Sequence, residues 1–286
     1  MPPQLIFGTG GLGMQGSGSF QDAESVRELM STLKELGIMR IDTAARYPPP
    51  SPGLAEKLVG ETADGFVVDT KILTDTKTDG SGDLARDKMK ESIGESLGRL
   101  KRGSWGVSNT SPAVLEEILK ICDENKWQKP RYYQGSYSLI TRGMETKLLP
   151  ILRSNGMFFN GYQPLAAGFL TGKFVNNDYT GTRFDPNSPV GSVMQKMFSG
   201  DELMAAMKRF DAAVKEKGLT SVEVALRWLM HHAALTEDDG VILGASRIQQ
   251  VHDTVAMCRK GPLEDDVLAL TEALWYDVKG LRGEIL

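Results

Sequence analysis

Three residues with complementary chemistry stand near the ends of successive short apolar runs. Asp42 closes the run from Met39 to Asp42, Tyr47 follows five residues later, and Lys71 lies near the end of Phe66 to Ile72. A phenol with a pKa of about 10 is a poor acid at neutral pH until an adjacent ammonium stabilises its anion. Lys71 is the group to do that, and Asp42 can pair with Lys71 and hold it charged and in place. An acid, a phenol and an amine in this order suggest a carbonyl-reduction site. On spacing alone, an ordinary buried Asp–Lys pair with Tyr47 as surface packing explains the same residues equally well.

These groups need a scaffold that delivers strand ends to one place. Short β-type runs alternate with longer amphipathic ones: Leu5 to Phe7, Met39 to Asp42, Phe66 to Ile72, Trp105 to Ser108, Arg131 to Gly135, Met157 to Tyr162, and Val241 to Gly244. Strict alternation of this kind predicts parallel strands joined by crossover helices. Helical spacing recurs at Met89, Ile93, Leu97 and Leu100 within Asp87 to Leu100, and at Val224, Leu226, Trp228 and Leu229 within Ser221 to Leu235. Pro112 after Ser111 marks a helix start, and Gly218 and Gly261 mark helix stops. Asn176 to Ser199, rich in Gly, Pro, Asn and Ser, reads as a long loop, and loops of that length are usually functional or disordered. The reading is an α/β fold of the (β/α)8 TIM-barrel type in a single domain, 1–286. Seven strand candidates stand where the barrel needs eight. Only one helix, ending near Leu100, separates the strand of Lys71 from that of Ser108, with Lys101 to Ser104 as the connection. Those two strands are therefore predicted to be parallel neighbours.

Composition narrows the function classes. The chain has 286 residues, 41% of them hydrophobic, and a formal net charge of -4. That balance gives no electrostatic reason to expect nucleic acid or an anionic membrane as partner. The start, Met1-Pro2-Pro3-Gln4-Leu5, lacks a basic segment followed by an apolar stretch, and no run approaches the roughly 20 apolar residues of a membrane span. The expected location is cytoplasmic. Cys122 and Cys258 lie in helical segments and read as buried small apolar residues, so neither a disulfide framework nor a zinc cluster is expected, and no metal is assigned.

Two glycine motifs resemble phosphate-binding loops without meeting their requirements. Gly8-Thr9-Gly10-Gly11-Leu12-Gly13 matches the dinucleotide fingerprint literally, but such a turn should open a helix at once and offer an acid about 20 residues on. Here Gly16 and Gly18 prolong the loop, and the first strand-end acid is Asp42. Gly168 to Lys173 is one residue short of a phosphate loop, and Phe174 replaces the required Ser or Thr.

The sequence resembles the aldo-keto reductases, and within them the aflatoxin-aldehyde-reductase branch. The resemblance runs over nearly the whole chain: Arg40 to Tyr47, Val107 to Asn109, Tyr133-Gln134-Gly135, Gly143-Met144-Glu145-Thr146, Gln163 to Lys173, Arg227 to His232, Ile242 to Ser246, and Gly261-Pro262-Leu263-Glu264. It implies NADPH as cofactor, held without a Rossmann fold, and a small-molecule aldehyde or ketone as substrate, with a homodimer as the assembly considered. It also implies Tyr47 as proton donor, Lys71 as the group that lowers its pKa, and Asp42 as the support of Lys71. Ser108, Asn109 and Gln134 would hold the nicotinamide carboxamide. Tyr162, Gln163, Leu165, Gly168, Leu170, Gly172, Lys173 and Arg183 would line the cofactor, and Ser246, Arg247, Gln250, Asp253 and Thr254 would hold its adenine end. Arg247 suits a 2'-phosphate, since guanidinium binds phosphate in a forked geometry.

The chain departs from that family at one point. In the family, the strand between those of Lys71 and Ser108 ends in a His and is followed by a helix. Here Leu100 to Trp105 runs straight across, and one strand-helix unit of roughly 30 or more residues has no counterpart. The histidines present are His231, His232 and His252, all in segments read as outer helices. Two functions stay open: an NADPH-dependent carbonyl reductase, or an impaired or inactive nucleotide-binding derivative, a splice or gene-model variant lacking the catalytic His.

Overall fold

In a computed structural model, residues 1–16, 18–71, 94–96, 98–100, 104–188, 190–283 and 285 are described. Seven strands form the framework: β1 (Gln4–Gly8), β2 (Arg40–Asp42), β3 (Val67–Thr70), β4 (Ser104–Ser108), β5 (Tyr132–Ser136), β6 (Phe158–Tyr162) and β7 (Gly240–Leu243). They pair in parallel in sequence order, and β7 returns to β1 to close the barrel. Each predicted run holds one strand, with ends differing by a residue or two. Ile72 and most of the predicted helix over Asp87 to Leu100 lie outside the described residues, although 94–96 and 98–100 are helical.

The joint at the unmatched unit is closed. Asp69 pairs with Ser104 and Thr70 with Trp105, so β3 and β4 are parallel neighbours, as the short connection required. Among the described residues this contact shows two register pairs, as do β1–β2 and β6–β7, against five between β5 and β6. A barrel of fewer strands has a narrower interior. At Gly240 of β7 an added Cβ would meet the Ile6 side chain and the Asn160 amide oxygen.

The crossover helices pack one apolar stripe each against this barrel. In α1 (Ala23–Glu35), Val26, Leu29, Met30 and Leu33 are buried. Its start is fixed by a capping box in which Asp22 accepts from the Ser25 backbone, a cap worth about 1 kcal/mol. After β2 comes α2 (Leu54–Thr62), and after β4 comes α3 (Pro112–Asn125), where Ser111 caps and Pro112 takes the first position as predicted. Two short helices, α4 (Met144–Lys147) and α5 (Leu149–Ser154), follow β5.

Three expectations need correction. Residues within Asn176 to Ser199 are not all loop, because α6 (Gly191–Phe198) forms there. Phe198 anchors it by stacking on Phe169 at 4.9 Å and meeting Phe184 edge-on, and Gly191 fits only because a side chain would strike the Asp185 carbonyl. Tertiary anchoring of aromatic rings overrides the polar composition. The helix predicted to reach Leu235 is α8 (Ser221–His231), shorter because His232 and Ala233 both return their amides to the Trp228 carbonyl. Gly261 stops no helix: α9 (Ile248–Cys258) ends before it, and its carbonyl accepts from Arg227 Nε. Gly218 does end α7 (Asp201–Glu216), at φ 72°. The chain closes with α10 (Asp265–Arg282). No described helix is long and apolar enough to cross a membrane, and both cysteines are free and buried.

Candidate active site

Alternation along β2 and β3 sends successive side chains to opposite faces. Asp42, the last residue of β2, is 3% exposed. Lys71, just past β3, places Nζ at 2.8 and 2.9 Å from the two Asp42 oxygens and at 2.7 Å from the Thr43 carbonyl. An ammonium has three protons, and these contacts use them all. Gln134 on β5 adds a fourth donor to the cluster, its amide nitrogen lying 2.6 Å from Asp42 Oδ1.

Tyr47 completes the group. Its ring is partly buried, packs against Gly10, and lies 5.0 Å by centroid from Lys71 Nζ. The ammonium therefore acts on the phenol through space. Burial pushes the Tyr47 phenol above its usual value, Lys71 pulls it back, and Asp42 pushes it up again. Lys71 works in the expected direction, but burial outweighs it, so the net displacement is upward. Tyr162, at the end of β6, donates to Asn109 Oδ1 at 2.8 Å. Its phenol is raised first by burial and then by Tyr47, so the two phenols share one environment.

A cleft of about 2940 Å³ opens from this floor. Asp42, Tyr47, Lys71, Ser108, Asn109, Gln134 and Tyr162 line its centre. Gln163, Leu165, Gly168, Lys173 and Arg183 form one wall, and Ser246, Arg247, Gln250, Asp253 and Thr254 the far end. Leu170 and Gly172 stand behind the wall: Leu170 is fully buried in the core, and Gly172, at φ 74°, backs onto the Asp211 carboxylate. The wall carries unusual backbone. Gln163, Ala166 and Ala167 all have positive φ, at 55°, 47° and 60°. Non-glycine residues held in the left-handed region cost of order 1–3 kcal/mol each and gather at functional sites.

Sequence reasoning missed part of the lining. Gly10, Gly11, Met14 and Arg46 face the cleft. The signal lay in the glycine run after β1, which builds a wall beside Tyr47 instead of a dinucleotide turn. The histidines stay outside. His231 bonds the Lys260 carbonyl, His232 accepts from the Leu263 amide, and His252 lies on α9. Among the described residues, no imidazole lines the cleft.

The arrangement can position a proton at a phenol beside a fixed positive charge, under a groove long enough for an extended ligand. The donor set suits an anionic one: Arg183 and Arg247 line the groove with no ion-pair partner among the described residues.

Comparison with known proteins gives the family of the chain. Over 315 aligned positions the chain is 28% identical to oxidoreductase sirO of Leptosphaeria maculans, covering 97% of this chain and 95% of the relative. It is 30% identical to aflatoxin B1 aldehyde reductase member 2 of Rattus norvegicus over 310 positions, covering 92% and 83%. With an aldo-keto reductase of Pseudocercospora fijiensis, identity is 35% over 180 residues, 61% of this chain and 60% of the relative. The rat alignment is longer than the chain itself, so it sets some of the relative's residues against gaps. The profile of the aldo/keto reductase family matches in two pieces, residues 4–104 and 101–276, and the break falls where the sequence lacks a strand-helix unit. Two matched pieces that together span most of the sequence place the chain in the aldo/keto reductase family, a family of oxidoreductases.

Proposed function

We propose that this protein reduces aldehydes or ketones to alcohols with NADPH, Tyr47 supplying the proton. The observation that carries the reading is the convergence of Asp42, Lys71 and Tyr47 at the floor of one cleft, with Lys71 Nζ 2.8 Å from Asp42 and 5.0 Å from the Tyr47 ring. Ser108 and Asn109 would hold the nicotinamide end, and Arg183, Ser246, Arg247 and Gln250 the phosphate-bearing end. When bound, the nicotinamide supplies the hydrogen and electron pair that reduce the carbonyl carbon. Tyr47 then gives its proton to the carbonyl oxygen, and the charge on Lys71 steadies the phenolate left behind. Asp42 keeps Lys71 fixed through both of its carboxylate oxygens. The names of several relatives include an aldehyde reductase, which fits a carbonyl substrate here.

A second reading is a nucleotide-binding derivative with little turnover. It is favoured by the cleft itself, where no imidazole stands among the described residues and the Lys71 protons are committed to Asp42 and Thr43. Loss of one donor to a reacting oxygen costs ~10²-fold in rate or more.

One sequence of experiments separates the two. A thermal melt with excess NADPH should shift upward, since a ligand that binds only the folded state adds RT ln(1 + [L]/Kd) to stability. NADPH oxidation with a panel of reactive aldehydes should follow. A shift with turnover supports the reductase, and a shift without turnover supports the derivative. A broad melt with no shift overturns both.

A further inference from the structure

We propose that Glu56 is a positioning residue which, through the Thr70 hydroxyl, fixes the end of β3 and thereby holds Lys71 over Tyr47. The inference rests on the catalytic reading of Tyr47 and Lys71.

The geometry follows from alternation along β3. Asp69 points one way and meets Arg40, with Arg40 Nε 2.7 Å from its carboxylate. Lys71 points into the cleft. Between them, Thr70 faces α2 and gives its hydroxyl to Glu56 Oε1 at 2.6 Å. Glu56 has a side-chain exposure of 0%, which an ionised carboxylate tolerates only when it is paired. Its second oxygen accepts Arg99 Nε at 2.6 Å. Arg99 belongs to the helical residues 98–100, close before β4, and reaches on to Glu95 and Ser96. Gly60 of α2 lies so close to the Arg99 carbonyl that a side chain could not fit between them.

One buried carboxylate therefore joins three parts of the chain: α2, the residue before Lys71, and the helical residues 98–100. It does so beside the β3–β4 joint, where Asp69 pairs with Ser104 and Thr70 with Trp105. Lys71 has its own bonds to Asp42 and Thr43, both on the β2 side. From the outer side of the barrel, the Thr70–Glu56 bond reinforces the β2–β3 ladder, which continues past Asp42 as the Thr43 amide on the Asp69 carbonyl and the Ala45 amide on the Lys71 carbonyl. A displacement there moves the ammonium relative to the phenol, and Coulomb effects change steeply at such range. The ionisable groups that act on Tyr47 are Lys71 and Asp42, and Tyr47 in turn raises the Tyr162 phenol.

The test compares Thr70→Val, which removes the hydroxyl and leaves the Glu56–Arg99 pair, with Thr70→Ser, which keeps the hydroxyl. Glu56→Leu removes both links. Each variant is made in the full chain and again with Tyr47→Phe, and tyrosinate absorbance is read within a second of an alkaline pH jump, before unfolding. The difference between each pair gives the titration of Tyr47 alone and needs no turnover. Thr70→Val should raise the Tyr47 midpoint by about half a pH unit or more, because Lys71 is less well held. Thr70→Ser should match the parent, and Glu56→Leu, if it folds, should shift the same way as Thr70→Val. Where the parent turns over, Thr70→Val should lower kcat roughly tenfold with NADPH affinity unchanged, as small misplacements of a reacting group do. An unshifted midpoint in Thr70→Val, or an equal shift in Thr70→Ser, overturns the inference. A parent that oxidises no NADPH while these titration shifts occur overturns the reductase reading and leaves the positioning role standing.

Discussion

Lys71 grips Asp42 through both carboxylate oxygens, at 2.8 and 2.9 Å, and spends its remaining proton on the Thr43 carbonyl. The ammonium thus reaches Tyr47 only as a charge. In Asp42→Asn, the amide would have to face two donors, Lys71 and Gln134, with one oxygen. Removing one partner of a buried pair typically costs ~3 kcal/mol or more. Asp42→Asn should lower the melting temperature clearly and cut NADPH-dependent turnover by ~10² or more. A melt and a rate within error of the parent would exclude Asp42 from this role.

Tyr47, Tyr133 and Tyr162 all have phenols raised chiefly by burial, Tyr133 to about 12. A donor phenol raised in this way stays protonated through neutral pH, so turnover should fall only on the alkaline side of the usual tyrosine range. Stability follows the same direction. Above pH ~10 the unfolded chain releases phenolic protons that the folded chain keeps, so unfolding becomes easier as pH rises towards the folded values. Below that range these groups contribute no slope. Melts from pH 8 to 11.5 should show the decline, and Tyr133→Phe should make it shallower. A flat profile would contradict the burial of these phenols.

Arg247 lines the far end of the cleft without an ion-pair partner among the described residues. If it binds the 2'-phosphate, Arg247→Ala should weaken NADPH binding by ~10- to 100-fold, the size of one or two charge-assisted hydrogen bonds. NADH, which lacks that phosphate, should bind as before. Equal losses for both cofactors, measured by fluorescence titration, would move the phosphate contact elsewhere.

The barrel and the floor of the site were legible because both rest on strong local patterns. Seven apolar runs with helical stretches between them specify parallel strands, and strand-end positions pointed to Asp42 and Lys71, while Ser108 and Gln134 came from the family resemblance. The short span from Leu100 to Trp105 was enough to predict the β3–β4 contact. What escaped depends on long-range partners. The helix Gly191–Phe198 exists because Phe198 finds Phe169 and Phe184, rings distant in sequence. Gln134 was read for a cofactor contact, yet its amide reaches Asp42 across 92 positions of chain. The upward displacement at Tyr47 was hidden too, since burial is a property of the folded cleft and cannot be read from the spacing of Tyr47 and Lys71.

Asp239, just before β7, is fully buried and gathers Arg153 in a two-pronged contact, the Phe159 amide at 2.8 Å, and both the amide and hydroxyl of Thr236. Its own carbonyl accepts from Gln4, so one residue ties β1, β6 and β7. Asp239→Ala would leave Arg153 and two backbone amides without their acceptor, at a cost of ~3–5 kcal/mol. Arg153→Met spares the amides and should cost less. Because Asp239 does not line the cleft, whatever fraction of Asp239→Ala folds should still gain stability from NADPH by the same increment as the parent. A large melting loss together with an unchanged NADPH shift would mark the residue as a clasp of the barrel. A lost shift would mean that closing β7 onto β1 also shapes the cofactor cleft, through the Ser246 to Thr254 segment that follows β7.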